Sequence, residues 1–161
     1  QGFFVRKTSA GEGASVTFKD AHRTNGSFNF FRTMSEKEGL IRLNIASEDG
    51  KSDELVIYFQ DGATDEFDTY FDAYKVQLNP AGWPSFFTKA GEEMIQINGL
   101  PASKLDNQME MPLELLATYT GNHIIRLTEL TQLDENINVY LEDRFTGDMI
   151  DLRANSSYSF K

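Results

Sequence analysis

Short apolar runs with a period of two, separated by turn residues, are the feature that most limits how this chain can fold. Leu40-Ile41-Arg42-Leu43-Asn44-Ile45 puts alternate side chains on one face of an extended chain, which is how a half-buried strand reads. Leu55-Val56-Ile57-Tyr58-Phe59 has no polar break, so it suits a central strand covered on both faces. Ser15-Val16-Thr17-Phe18, Met94-Ile95-Gln96-Ile97, Ile124–Thr128, Ile137–Leu141, Met149–Leu152 and Tyr158–Phe160 continue the series. Turn residues collect between these runs at Ser9–Gly13, Glu48–Ser52, Tyr119–Asn122 and Thr146–Asp148. Met109–Tyr119 can be written as a short helix, but Pro112 and the pair Thr118-Tyr119 favour a strand. About eight to ten strands at a spacing of roughly 8–12 residues predict an all-β fold, an antiparallel two-sheet β-sandwich with jelly-roll-like character. No repeat, low-complexity stretch or linker interrupts the 161 residues, so one domain is expected over 1–161.

Composition narrows the chemistry. Hydrophobic residues make up 40% of the chain, enough for a core. The formal net charge is −10, which disfavours nucleic acid and anionic membrane as partners, since both select a basic footprint. No apolar run approaches the roughly 18 residues of a membrane span. Cysteine is absent, which removes disulfides, thiolate metal sites and cysteine nucleophiles. His22 and His123 are the only histidines and cannot build a three-histidine metal site.

Charge is unevenly spread along the chain. Residues 1–37 hold six basic and three acidic side chains, whereas residues 48–72 hold nine acidic ones and only Lys51 as a base. The densest part is Asp61–Asp72, with five carboxylates in twelve residues. Calcium takes six to eight oxygen ligands, and Asp65, Asp68 and Asp72 could supply some of them. The spacing is not that of an EF-hand, because Glu66 stands where a glycine is needed and Asp72 where a glutamate is needed. The competing reading is local capping: Asp and Thr accept backbone N–H groups in turns, with Phe67, Phe71 and Tyr74 plugging a sheet edge.

Trp83, the only tryptophan, lies in Asn79-Pro80-Ala81-Gly82-Trp83-Pro84. A tryptophan on a proline-flanked loop can stack on a sugar ring, and Tyr70 and Tyr74 could extend such a platform. The alternative is that these rings fill the core, as most aromatic residues do. Carboxylates including Glu114, Glu129, Glu142 and Asp143 are plentiful, but no spacing pairs two of them for glycoside hydrolysis. The sequence contains no Gly-x-Ser-x-Gly elbow, phosphate-binding glycine loop or His-Glu-x-x-His. The expectation is a non-enzyme.

The chain opens at Gln1 in a strand-like run, Gly2-Phe3-Phe4-Val5, and closes on Ser157-Tyr158-Ser159-Phe160-Lys161. A piece processed or excised from a longer protein is expected. Several phrases in this order carry a resemblance: Gln1–Val5, Ile41-Arg42-Leu43, Asp53–Phe59, Ala63–Asp68, Phe71–Lys75, Tyr140–Gly147, Asp151-Leu152 and Ser157–Phe160. Together they resemble the β-sandwich region beside the C-terminal sorting domain of large proteins exported by the type IX secretion system of Bacteroidota. The sorting domain itself has no counterpart in this sequence. The resemblance implies a secreted or cell-surface module within an adhesin, a gliding-motility protein or a polysaccharide-degrading enzyme. Its expected partners are other domains of the same parent chain, and polysaccharide or cell-surface glycan. The resulting expectation is a non-catalytic spacer or adhesive module stiffened by calcium at Asp65, Asp68 and Asp72. The alternative is a carbohydrate-binding module using Trp83, Tyr70 and Tyr74.

Overall fold

The computed structural model describes residues 17, 19, 38–76 and 82–161. The chain divides into two compact units, Gln1–Thr33 and Met34–Lys161, and every strand below belongs to the second. The expected strand at Ser15–Phe18 and the turn at Ser9–Gly13 fall outside the described residues, Thr17 apart.

Ten strands are formed among the described residues: β1 (Gly39–Ser47), β2 (Ser52–Gln60), β3 (Ala73–Tyr74), β4 (Ser85–Ala90), β5 (Glu93–Pro101), β6 (Glu114–Leu116), β7 (His123–Thr131), β8 (Tyr140–Asp143), β9 (Asp148–Asp151) and β10 (Ser157–Phe160). A 3₁₀ turn, Ala102–Asp106, follows β5. The described fold is all-β. Its main sheet runs β10-β7-β1-β2-β5-β4-β6, with β3 also paired to β5, and β8 and β9 form a small second sheet.

The main sheet is mixed rather than antiparallel throughout, because β2 and β5 run parallel with Val56 opposite Ile97. Parallel neighbours need a crossover connection. Here the acidic loop, β3 and β4 supply it, carrying the chain back before β5 starts. Ile95 and Ile97 each have two strand partners, Thr88 and Tyr74 for the first, Val56 and Ala73 for the second. β5 thus passes from one set of neighbours to another, and the sheet curls around it.

β2 lies in the middle of the sheet, as its unbroken apolar run requires. Leu55, Ile57 and Phe59 enter the main core with Leu43, Ile45, Phe86, Leu100 and Ile125. Leu141 and Leu152, on and beside the β8–β9 hairpin, close over this core. Val56 and Tyr58 point the other way, into a smaller cluster with Leu40 and Phe71. Gly50 and Gly147 take positive φ in two of the tight hairpin turns, β1–β2 and β8–β9, where a side chain would be strained.

Candidate functional site

The acidic segment is built as a strap on the sheet. Ala63 N–H returns to the Gln60 carbonyl at 3.3 Å, turning the chain at the end of β2. Asp72 then accepts two backbone N–H groups, from Asp68 and from Gly99 of β5, each at 2.7 Å. Asp68 accepts Tyr70 N–H at 2.8 Å. The Tyr58 hydroxyl donates to the Phe71 carbonyl at 2.6 Å. The approach is so close that a Cβ on Gly99 would stand 2.8 Å from Phe71 Cβ and 2.9 Å from the Tyr58 ring. Burial is the main influence on the Asp72 carboxyl and raises it above its ordinary value, against the pull of its two N–H donors. Below this point Lys75, its side chain only 2% exposed, forms an ion pair with Asp53, which also accepts Phe86 N–H at 2.6 Å. One carboxylate of β2 therefore holds the end of the strap and the start of β4.

The three aspartates expected to share calcium have separate engagements. Asp68 and Asp72 cap the strap, as the capping reading describes, and Asp65 pairs with Lys104 at 3.0 Å. Among the described residues, no group of three or more His, Cys, Asp or Glu side chains is placed to hold one metal ion. The aromatic candidates have different surroundings. Tyr70 is exposed beside the Phe71–Gly99 contact, whereas Tyr74 covers one ring face on Phe67 at a centroid distance of 4.0 Å. Trp83, 41% exposed, follows Gly82, whose Cα packs against Lys51 in the β1–β2 turn.

A cleft of about 620 Å³ opens between the segment 102–112 and strands β4 and β5. Ser103, Asn107 and Gln108 contribute polar groups from the loop, and Met109, Met111 and Pro112 an apolar wall. Asn98 of β5, 3% exposed, donates to Thr88 Oγ1 at 3.0 Å at the cleft's base. At its margins the charges are paired: Lys104 with Asp65, Lys89 with Glu114 at 2.8 Å, and Glu110 with Arg144 at 2.7 Å. Sequence reasoning did not find this cleft. Its only sign was a run of amides, hydroxyls and methionines between two strand patterns.

Over residues 1–161 the chain matches the DUF8693 family, described as a domain of unknown function. It belongs to that family. No curated protein and no solved structure matches it.

The DUF8693 domain has a second exposed feature, the β8–β9 hairpin. Asp143 Oδ1 accepts the N–H groups of Phe145 and Thr146 at 2.8 and 3.2 Å, and Oδ2 accepts the Tyr158 hydroxyl of β10 at 2.7 Å. The Tyr158 hydrogen bond, helped by the Phe145 N–H, holds the Asp143 carboxyl below its ordinary value. Thr146 Oγ1 donates to Asp148 at 2.9 Å across the turn. The tip is thereby tied down, yet Phe145 is 98% exposed. Leu141 and Ile150 face the core as a cross-strand pair, so their strand neighbours Tyr140 and Met149 face outward, and both are exposed.

Proposed function

We propose that this DUF8693 domain is a non-catalytic structural and interaction module of a secreted or cell-surface protein, of the kind exported by the type IX system. In this reading the curled sheet and the hairpin closing over its core make a jelly-roll-like sandwich. The sheet serves as a rigid body and the hairpin as its contact point.

The observation that carries the reading is Phe145. A turn with three hydrogen bonds to one carboxylate holds Phe145 98% exposed on the same hairpin as the exposed Tyr140 and Met149, and exposed apolar side chains gathered in this way mark interaction sites. Tyr140 and Met149 are exposed on the outer face of the same hairpin, with Glu142 opposite Met149. Large aromatic and methionine side chains of this sort supply most of the binding energy where interfaces form. The hairpin is joined to β10 by the Asp143–Tyr158 hydrogen bond.

The test is photo-crosslinking in the exporting cell, with Phe145→p-benzoylphenylalanine against Glu135→p-benzoylphenylalanine as an exposed control. A discrete adduct with a neighbouring domain or surface protein at position 145, and none at 135, is expected. Equal yields at the two positions would remove the hairpin as the contact point.

A further inference from the structure

The cleft beside segment 102–112 is a second site, independent of the hairpin. We infer that it binds a neutral oligosaccharide. Lys89, Lys104 and Glu110 each have an oppositely charged partner at the margin, Glu114, Asp65 and Arg144 respectively. An ionic ligand would have to displace these partners, so the cleft offers little to a free ion.

Uncharged hydrogen-bonding groups remain: the amides of Asn98, Asn107 and Gln108 and the hydroxyl of Ser103. Asn98 is the fixed one. Its Nδ2 is committed to Thr88 Oγ1, while its Oδ1 accepts from none of the described residues and is not enclosed by them. That oxygen is a preset acceptor at the base of the cleft. A sugar hydroxyl both donates and accepts, as an amide group does, so adjacent hydroxyls match these side chains in either sense. Met109, Met111 and Pro112 supply the apolar surface that the C–H faces of a pyranose need. The volume lies within the roughly 300–1,000 Å³ typical of small-ligand sites.

A peptide fits less well. An extended peptide is usually held by an unpaired strand edge. At this cleft Asn98 and Leu100 of β5 pair with β2, Lys89 of β4 pairs with Met94 of β5, and the Gly99 N–H between Asn98 and Leu100 is taken by Asp72.

The experiment is an NMR titration of the full chain with neutral gluco-, manno- and xylo-oligosaccharides, with an oligogalacturonate and a neutral peptide as comparisons, each to about 10 mM to reach weak affinities. One neutral sugar is expected to shift resonances of Asn98, Ser103 and residues 107–111, with little sensitivity to added salt. The double variant Asn107→Ala/Gln108→Ala, changed at exposed positions, should keep the wild-type melt and weaken binding roughly tenfold or more, a loss of about 1.4 kcal/mol. The inference is overturned by no cleft shifts with any neutral sugar, by shifts only with the oligogalacturonate or the peptide, or by unchanged affinity in the double variant.

Discussion

Asp72 and Asp143 each gather two backbone N–H groups, yet their carboxyl groups move in opposite directions. Asp72 lies between the strap and β5, where leaving water penalises its charge more than two N–H donors favour it. Asp143 stays in contact with water and adds the Tyr158 hydroxyl to its donors, so its charge is favoured outright. The capping chemistry is the same in both loops. Burial decides whether the anion gains from it, and so whether the loop belongs to the folded body or is displayed on it.

The strongest way to break this comparison is at the buried side. Lys75→Ala would leave Asp53 in a nearly enclosed position with Phe86 N–H as its remaining donor in that contact. Breaking a buried pair from one side costs about 3–5 kcal/mol. Lys104→Ala removes the exposed pair with Asp65, where about 0–1 kcal/mol is expected. Urea denaturation of both variants, compared at equal m-values, measures the difference. If the two losses are equal, burial is not what distinguishes the strap from the surface.

What the sequence made legible follows the same division. β1 and β2 could be read because their alternation, or its absence in a doubly covered strand, is a local pattern. The capping reading of the acidic loop was equally local where Asp68 and Asp72 accept N–H groups within four positions, whereas the Gly99 N–H that Asp72 also accepts lies 27 residues on. β4 was missed because Ser85, Phe86, Phe87 and Thr88 are all buried, which erases any period of two. The strand expected at Ile137–Leu141 begins at Tyr140, because Ile137 closes a turn on Asp134 while Val139 still packs against the core. The parallel β2–β5 register and the Asp53–Lys75 pair join residues far apart in the chain, and no local signal encodes either. The cleft was hidden because neutral amides and hydroxyls leave neither a charge run nor a hydrophobic period.

A pH series sharpens the comparison through its sign. Asp143 sits below the ordinary aspartate value of 3.8, so its stabilisation is complete above 3.8 and is lost as pH falls through its folded value. Tyr158→Phe removes the leading cause, and the gap between wild type and variant should shrink as pH falls. Asp72 sits above 3.8, so between 3.8 and its folded value the native state keeps a proton that the unfolded chain has released. Stability then declines as pH rises through that window. The gap between wild type and Asp72→Asn should therefore shrink in the opposite direction, as pH rises. Thermal melts from about pH 3 to pH 7 read both slopes. Two gaps that move the same way would mean that one shift has been assigned the wrong cause.

The smallest expected effect is the one most tied to function. Phe145→Ser changes a side chain that is 98% exposed, and it leaves in place the backbone N–H that Asp143 accepts. Surface changes of this kind usually stay within about 0.5 kcal/mol, so the melt should match wild type. Phe71→Ser is the counterpart on the strap, where the ring packs with Leu40, Val56 and Tyr58, and it should lower the melt visibly. A stable Phe145→Ser protein means that the Phe145 ring contributes nothing measurable to folding, which leaves it available to a partner outside the domain. A clear loss of stability would instead make Phe145 a folding residue and take away the observation on which the interaction reading rests.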